Sequence, residues 1–282
     1  MHQAECVAFL RWAMPRLGLA WPGFERCHRQ VCKRLRRRIV ELGLTGFTAY
    51  RDYTLHQVAE WEVVDACCRV TVSRFYRDRD VFDQLTSEIL PRLAAGIAAL
   101  GGSKLRAWSA GCGAGEEPYS LALAWGFGAA SRFPRISLEI VATDVDEAQL
   151  ARARTGCYRP SSLRELPAAW VQAAFVPSGP LRCLRPEYCD SVAFQHQDVR
   201  ADAPKGPFDL ILCRNLVFTY FDDSQQHAVL AEILHELAPG GFLVIGRRER
   251  LPSDAEGISY WAPSLRIFAK ALAGTAKVSV AG

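Results

Sequence analysis

The stretch LRAWSAGCGAGEEPYS, residues 105–120, decides the fold. Its opening apolar run, Leu105–Ala110, is typical of a short buried strand. The alternating glycines between 111 and 115 predict a turn whose backbone takes positive φ and lets a ligand approach closely. A helix over Pro118–Phe127 is predicted to follow, because proline suits the first turn of a helix. A strand, a glycine-rich turn and a helix in this order are typical of nucleotide-binding α/β folds.

Two glutamates after the turn favour one class of ligand. Glu116 and Glu117 would repel the pyrophosphate of a dinucleotide but attract a cation, and S-adenosylmethionine carries a sulfonium and an amino group. Asp144, at the end of the next strand, can accept both ribose hydroxyls. It lies 29 positions after Gly115, farther than the ~20 of a dinucleotide fingerprint. The pattern therefore favours S-adenosylmethionine over NAD; a tight turn with surface acids is the alternative.

The chain beyond this segment alternates strands with helices, which predicts a mostly parallel sheet with helices on both faces. The further predicted strands are Leu138–Ala142, Phe208–Cys213, Phe242–Ile245 and Ser264–Ala269, and the further helices are Glu147–Arg154 and Gln225–Leu237. Residues 175–195 interrupt this rhythm with the short runs Leu181–Leu184 and Val192–Phe194, between Pro, Gly and Asp. We expect a small antiparallel β insertion there.

The first 68 residues predict a separate all-helical domain. Apolar residues at helical spacing predict helices near the start and over Phe24–Leu42, and helical segments over Phe47–Tyr53 and Val58–Cys68. No strand-like alternation occurs in this part of the sequence. We therefore expect a helical domain over 1–68, followed by a linker and an α/β domain over 69–282.

The positive charge of the chain is concentrated in the helical domain. The net charge is +4, but residues 1–60 hold ten Lys/Arg against five Asp/Glu. Seven of these basic residues lie between Arg26 and Arg38, where there is no acid. Arg29, Lys33 and Arg36/Arg37 share one side of the predicted helix, opposite its apolar stripe. This face is either a solvated surface or a docking surface for an acidic partner.

Several classes of protein are excluded by composition. No apolar run reaches the ~18–20 residues of a membrane helix, and no basic, apolar leader follows Met1. The sequence therefore predicts a cytoplasmic protein without membrane insertion. The ten cysteines lack the paired spacing of a zinc site, so we expect no metal and mostly buried, reduced thiols.

Five phrases in this order resemble the CheR-type chemotaxis receptor methyltransferases, which are S-adenosylmethionine-dependent protein-glutamate O-methyltransferases. The phrases are RFYRD (74–78), AWSAGCGAGEEPYSLAL (107–123), ATDVDEAQLARARTGCYRP (142–160), FDLILCRNLVFTYFD (208–222) and LAPGGFLVIG (237–246). The resemblance covers about residues 20–270. It implies a Rossmann-like class I methyltransferase sheet, an N-terminal all-helical domain that meets the acidic helical region of a chemoreceptor, and a small antiparallel β insertion.

The resemblance also implies roles for individual residues. The implied cofactor-binding residues include the turn glycines Gly111 and Gly113, with Glu117 for the methionine amino group and Asp144 for the ribose. Asp198 and Val199 would flank the adenine, and Arg214 and Asn215 would line the cofactor. Thr71, Ser73 and Arg77 would close over its methionine end. Arg29, Lys33, Arg36 and Arg37 would dock an acidic protein helix such as that of a chemoreceptor cytoplasmic domain.

Three departures from the family pattern concern the site. Four residues, Leu216–Thr219, separate CRN from YFD where the family usually has three, so either Tyr220 or Thr219 occupies the tyrosine position. A one-residue bulge could re-aim the tyrosine. The family's usual GHSE after the fourth strand is GRRER here, residues 246–250, and Thr71 stands where many relatives have Asn.

Methyl transfer to a carboxylate mainly requires the enzyme to align the reacting groups. A glutamate carboxylate is ionised near pH 7 and needs no general base, so nucleophile, methyl carbon and leaving sulfur must mainly be held in line. Arg77 could orient the carboxylate through bidentate hydrogen bonds, and Tyr220 could donate a hydroxyl near the methyl. The alternatives are a surface arginine paired with Asp78 or Asp80, and a packed core tyrosine.

Two further interpretations of the whole chain stay open. One is a methyltransferase of RNA or a small molecule on the same fold, although CRNL replaces the Asn-Pro-Pro-aromatic turn of base methylation and Cys213 lacks a second cysteine partner. The basic helix alone could suggest nucleic-acid binding, but the family resemblance argues against it. The other is a catalytically inactive, cofactor-sensing protein, which the altered GRRER segment and the shifted Tyr220 would fit.

Overall fold

A computed structural model of the chain describes residues 3–70 and 73–272. These residues form two compact units. One, here called the helical unit, comprises the described residues of Met1–Val72 together with Leu216–Gln226, and the other, the α/β unit, comprises Ser73–Asn215 and the described residues of His227–Gly282. Residues 216–226 cluster with the N-terminal helices, a grouping that the sequence pattern does not predict.

The helical unit contains the predicted N-terminal helices. They are α1 (Gln3–Ala13), α2 (Trp21–Phe24), α3 (His28–Glu41), α4 (Phe47–His56) and α5 (Glu60–Cys68). Val31, Leu35 and Ile39 of α3 are fully buried, as their spacing predicts. The predicted helix over Phe24–Leu42 is in fact broken between Phe24 and His28, so its first turn belongs to α2.

A buried carboxylate joins three helices of this unit. Glu60, at the start of α5, is 4% exposed. It accepts two hydrogen bonds from Arg38 of α3, at 2.9 and 2.8 Å, and one from the Tyr50 hydroxyl of α4, at 2.7 Å. The hydrogen bonds from Arg38 lower the pKa of Glu60, so the carboxylate stays ionised.

The α/β unit is built on a seven-stranded sheet. Its strands are β1 (Lys104–Ala110), β2 (Ser137–Asp144), β6 (Val192–His196), β7 (Phe208–Cys213), β8 (Leu237–Ile245), β9 (Ile258–Ala262) and β10 (Ile267–Lys270), in the order β6-β2-β1-β7-β8-β10-β9. The first five strands in this order run parallel. Strand β10 is antiparallel to both of its neighbours, β8 and β9. The prediction of a mostly parallel, Rossmann-like sheet is confirmed.

Among the described residues after the N-terminal helices, two α-helices precede β1 and six more lie between strands further along the chain, where residues 216–226 belong to the helical unit. They are α6 (Arg79–Gln84), α7 (Leu90–Ala99), α8 (Glu116–Gly128), α9 (Glu147–Thr155), α10 (Ala168–Ala174), α11 (Pro186–Cys189), α12 (Val217–Tyr220) and α13 (Asp223–Glu236), with a π-helical turn over Leu85–Ile89. The central strands β1 and β7 are almost entirely buried. Because the carboxyl ends of parallel strands meet at one edge, the segments after β1, β2, β6, β7 and β8 lie along the same edge.

The small antiparallel sheet differs from the prediction. It has the order β3-β5-β4, from β3 (Cys157–Tyr158), β4 (Phe175–Ser178) and β5 (Leu181–Leu184). The run Val192–Phe194, which the sequence analysis places in this insertion, instead belongs to β6 and pairs in parallel with β2. The prediction was wrong for this run because an edge strand is half exposed and lacks the continuous apolar pattern of a central one.

The prediction that the cysteines are reduced was wrong for four of them. Cys6 is joined to Cys32, and Cys157 to Cys183, as disulfides. Spacing alone could not reveal these pairs, because each spans 26 residues and depends on packing. Cys157 and Cys183 are direct neighbours in the β3–β5 ladder. The other six cysteines are free thiols, among them Cys112 and Cys213, which are buried.

Across residues 3–70 and 73–272, no helix has the length and apolar character needed to cross a membrane.

Candidate functional site

In the glycine turn after β1, a side chain would have open space at Gly113 but none at Gly115. Gly111, Gly113 and Gly115 all have positive φ, at 70°, 54° and 90°. A Cβ on Gly115 would lie 3.0 Å from the Ala153 Cβ and from the Tyr158 hydroxyl. A Cβ on Gly113 would meet no described atom within 4 Å. The backbone is therefore packed against protein at Gly115 and accessible at Gly113, as a ligand-binding turn requires.

Asp144 joins this turn to the end of β2. Its Oδ2 accepts a hydrogen bond from the Gly113 amide at 2.7 Å, and its Oδ1 accepts one from the Asp146 amide at 2.9 Å. The carbonyl of Thr143 accepts from the amides of Gly111 and Cys112, at 2.8 and 2.9 Å. The end of β2 thus holds the turn that follows β1, and the two amide hydrogen bonds fix the orientation of the Asp144 carboxylate beside the turn.

Glu117, at the start of α8, is part of a buried ion-pair cluster. Its Oε1 accepts a hydrogen bond from the Ser109 hydroxyl at 2.9 Å, and its Oε2 lies 3.1 Å from the Arg214 guanidinium. Arg214 follows β7 and its side chain is 1% exposed. The same guanidinium pairs with Asp78 at 2.7 Å and donates to the carbonyl of Arg77 at 3.0 Å.

The charges of this cluster suit a cationic ligand. Arg214 supplies one positive charge, and the carboxylates of Glu117 and Asp78 supply two negative charges. The cluster therefore keeps one net negative charge close to the glycine turn. S-adenosylmethionine, with its sulfonium and amino groups, fits these carboxylate acceptors and the accessible backbone at Gly113, whereas a pyrophosphate does not.

The backbone around Arg77 is held by contacts on both sides. Tyr76 and Asp78 have positive φ, at 56° and 61°, which costs roughly 1–3 kcal/mol per residue and persists only where neighbours enforce it. The Tyr76 amide donates to the Ser120 hydroxyl at 2.8 Å, and Asp78 pairs with Arg214. Asp78 and Asp80, the alternative partners considered for Arg77, pair with Arg214 and Arg247. The role of Arg77 stays a prediction.

Ser73 contacts a second buried acid. Glu116 is 4% exposed and forms a side-chain hydrogen bond with Ser73. Burial raises the pKa of Glu116, because desolvation penalises the charged carboxylate. Ser73 therefore lies next to the start of α8, beside the turn. Thr71, predicted to act with it, lies outside the described residues.

The predicted adenine-contacting residues follow β6. Asp198 pairs with Arg200 at 2.7 Å, and Val199 lies between them at half exposure. The amide of Gln197 donates to the Asp144 carbonyl at 3.0 Å, which connects this segment to the end of β2. Both residues thus lie at the same sheet edge as Asp144. Their contact with a nucleobase stays a prediction.

Asn215 has a partner that the sequence analysis missed. Its φ is 56°, and its amide donates to the Glu249 carboxylate at 2.8 Å. Glu249 also accepts from the Gly246 amide and is only 3% exposed. The sequence held a signal for this contact: Glu249 is the fourth residue of GRRE, the same place that the glutamate has in the family's GHSE. Asp78, the last residue of RFYRD, was likewise missed as a partner of Arg214.

Tyr220 and Thr219 lie on α12, within the helical unit. The extra residue before YFD is absorbed by a helical turn rather than by a strand bulge, with the Tyr220 amide 2.9 Å from the Leu216 carbonyl. The Tyr220 ring lies 5.0 Å from that of Phe24, and its hydroxyl hydrogen-bonds the thiol of Cys27. Which of the two residues takes the family tyrosine's place stays open.

The basic residues of α3 divide into two sets. Arg34 donates to the carbonyls of Cys67 and Arg69 at the end of α5, and Arg38 grips Glu60, so both stabilise the helical unit. Three of the predicted docking residues are exposed and the fourth is half-buried with a hydrogen bond to Gln3. The exposed residues are Arg29, Lys33 and Arg37, and the half-buried one is Arg36.

Comparison with known proteins identifies relatives over most of the chain. The CheR methyltransferase, SAM binding domain family matches residues 71–262. A chemotaxis protein methyltransferase of Listeria monocytogenes is 36% identical over 187 residues, which cover 66% of this chain and 68% of that protein. The chemotaxis protein methyltransferase of Escherichia coli is 31% identical over 227 residues, covering 78% and 75%. An uncharacterised 104.1 kDa protein of Rhodobacter capsulatus is 30% identical over 251 residues, covering 88% of this chain, which spans 26% of that protein.

Proposed function

Because this chain belongs to the CheR methyltransferase family and is therefore an S-adenosylmethionine-dependent methyltransferase, we propose that it methylates glutamate carboxylates on a protein substrate. The substrate we propose is an acidic, helical segment like that of a chemoreceptor cytoplasmic domain, and the place of action is the cytoplasm. The observation that carries the proposal is the negatively charged cluster of Glu117, Arg214 and Asp78 beside the accessible backbone of Gly113.

The proposed division of labour follows from these positions. When bound, S-adenosylmethionine would supply a methyl group on a positively charged sulfur. A carboxylate oxygen can accept this methyl as an ester without a base, while the sulfur–methyl bond breaks and neutral S-adenosylhomocysteine leaves. Glu117 holds the methionine amino group, and Asp144 holds the ribose hydroxyls. Arg214 neutralises part of the buried negative charge and fixes the carbonyl of Arg77. Arg77 then orients the substrate carboxylate.

Docking of the protein substrate is proposed for the exposed face of α3. Arg29, Lys33 and Arg37 point away from the buried stripe of that helix. Arg37 also forms an exposed ion pair with Glu41 at 3.4 Å, so these four residues carry a net charge of +2. An acidic helix would meet complementary charge there, which chiefly raises the rate of encounter. Nucleic acid is not the partner we propose.

A labelled-methyl assay tests the proposal. The purified chain is incubated with methyl-labelled S-adenosylmethionine and a chemoreceptor cytoplasmic fragment, with a matched fragment whose acceptor glutamates are glutamines as the control. We expect label that is released as methanol by base, and only from the glutamate fragment. Base-stable label on protein or RNA would instead support a methyltransferase of another acceptor. Tight cofactor binding without any transfer would support an inactive, cofactor-sensing protein.

A further inference from the structure

The segment Gly246–Arg250, here called the arginine segment, lies at the sheet edge that carries the cofactor residues. It directly follows β8, and Ile245 of β8 pairs with Cys213 of β7, the residue before Arg214. A Cβ on Gly246 would lie 3.1 Å from the Asn215 side chain. The arginine segment therefore begins in contact with a residue predicted to line the cofactor.

Glu249 holds this segment from the inside, and an exposed ion pair of Arg247 adds a contact at the surface. Glu249 is buried and accepts hydrogen bonds from the amides of Asn215 and Gly246. Arg247 forms an ion pair with Asp80, two residues beyond the Asp78 that pairs with Arg214. The tip of the segment is thus tied both to the end of β7 and to the start of α6.

Arg248 and Arg250 are left exposed by this arrangement. Within residues 3–70 and 73–272, neither guanidinium has an ion pair or hydrogen bond. Three acids near the arginine segment already have partners: Glu249 is turned inward, Asp80 pairs with Arg247, and Asp254 lies 2.9 Å from His227. Two positive charges therefore face solvent next to the cofactor edge.

We propose that Arg248 and Arg250 bind acidic side chains that flank the glutamate to be methylated, an inference that rests on the proposed function. A guanidinium matches a carboxylate in planar, bidentate geometry, which a smaller polar side chain cannot provide. The usual GHSE would place His and Ser at the two positions that Arg247 and Arg248 occupy here. The arginine segment would therefore give this chain a preference for glutamates in a densely acidic neighbourhood.

A double variant with a matched control tests this inference. R248A/R250A removes both charges, and R132A/R135A removes two exposed arginines from the loop before β2, at the opposite edge of the sheet. The substrates are two helical peptides with the same central Glu-Glu pair, one flanked by glutamates and the other by glutamines. We expect R248A/R250A to raise KM for the acid-flanked peptide about tenfold at low salt, with kcat and the Kd of S-adenosylmethionine unchanged.

Three kinetic results would each overturn the inference: an unchanged KM, an equal rise in R132A/R135A, or an equal rise for the glutamine-flanked peptide. Direct binding of the labelled acid-flanked peptide, measured by fluorescence anisotropy, decides it separately from catalysis. If the wild-type chain forms no base-labile ester, the proposed function fails. A tenfold higher Kd of R248A/R250A for the acid-flanked peptide, measured by anisotropy, would still support binding of acidic side chains by Arg248 and Arg250. Displacement of the peptide by an equal-length single-stranded DNA at lower concentration would mark a phosphate-binding surface and overturn the proposal.

Discussion

The Arg214 guanidinium lies 3.1 Å from the Glu117 carboxylate and is almost completely removed from solvent. This pair connects the end of β7 with the start of α8, the helix that follows the glycine turn. Through Asp78, the same arginine also reaches the segment that carries Arg77. One buried charge therefore organises the parts of the site that come from three distant stretches of sequence.

Replacing this arginine should weaken both folding and cofactor binding. In Arg214→Met, two carboxylates lose their cationic partner in the cluster. Because Asp78 and Glu117 are 27% and 15% exposed, solvent screens part of the charge left behind, and the cost should be about 1–3 kcal/mol. We expect the free energy of unfolding in urea to fall by that amount and S-adenosylmethionine binding, measured by calorimetry, to weaken at least tenfold. Arg214→Lys keeps the charge but not the planar guanidinium, so its stability and cofactor affinity should lie between those of the wild type and of Arg214→Met. A fully stable Arg214→Met with unchanged affinity would contradict the role given to the cluster.

Two glycines of the turn should respond differently to alanine. Gly113→Ala meets open space, so its stability cost is only the roughly 1 kcal/mol of positive φ. Gly115→Ala adds contacts with Ala153 and Tyr158 and should cost about 2–4 kcal/mol. If the cofactor occupies the space at Gly113, Gly113→Ala should still weaken S-adenosylmethionine binding more than tenfold. Thermal unfolding and calorimetry of both variants provide the comparison, and unchanged affinity in Gly113→Ala would place the ligand elsewhere.

The sheet could be predicted from sequence where strands are buried on both faces. β1 and β7 are continuous apolar runs, and their positions follow directly from that pattern. The two strands that were misassigned or missed, β6 and β9, are the edges of the sheet. Edge strands are half exposed, so their residues carry no continuous apolar signal.

The site was predictable where a motif is local and was not where it depends on long-range pairing. Glu117 lies two residues after Gly115, and Asp144 ends β2, the next strand along the chain, so their neighbourhood could be inferred. Asp78 meets Arg214 across 136 positions, and Glu249 meets the Asn215 amide across 34. Such partners become apparent only when strand order is known.

Glu116 should make stability depend on pH in the direction opposite to most carboxylates. Its folded-state pKa is raised by burial, so its contribution to stability is fully present below the ordinary value near 4.5 and is lost as pH rises through the folded-state pKa. Glu116→Gln removes this loss and retains an amide able to hydrogen-bond Ser73. We expect its melting temperature to exceed that of the wild type by about 3 °C at pH 7.5, with the difference vanishing below pH 4.5. A difference that does not vary with pH would show that the carboxylate's ionisation is not its cause.

Charge reversal on α3 should separate substrate docking from cofactor binding. In Arg29→Glu/Lys33→Glu/Arg37→Glu, the exposed basic face becomes acidic while the buried residues Val31, Leu35 and Ile39 are unchanged. Like charges then oppose an acidic substrate helix, so KM for the chemoreceptor fragment should rise about tenfold or more at low salt, and less at high salt. The Kd of S-adenosylmethionine should stay constant. Arg132→Glu/Arg135→Glu/Arg164→Glu, with the same change of charge on exposed residues of the α/β unit, serves as the control. A loss of cofactor affinity in the α3 variant, or an equal rise of KM in the control, would mean that the basic face acts through folding or through net charge rather than as a docking surface.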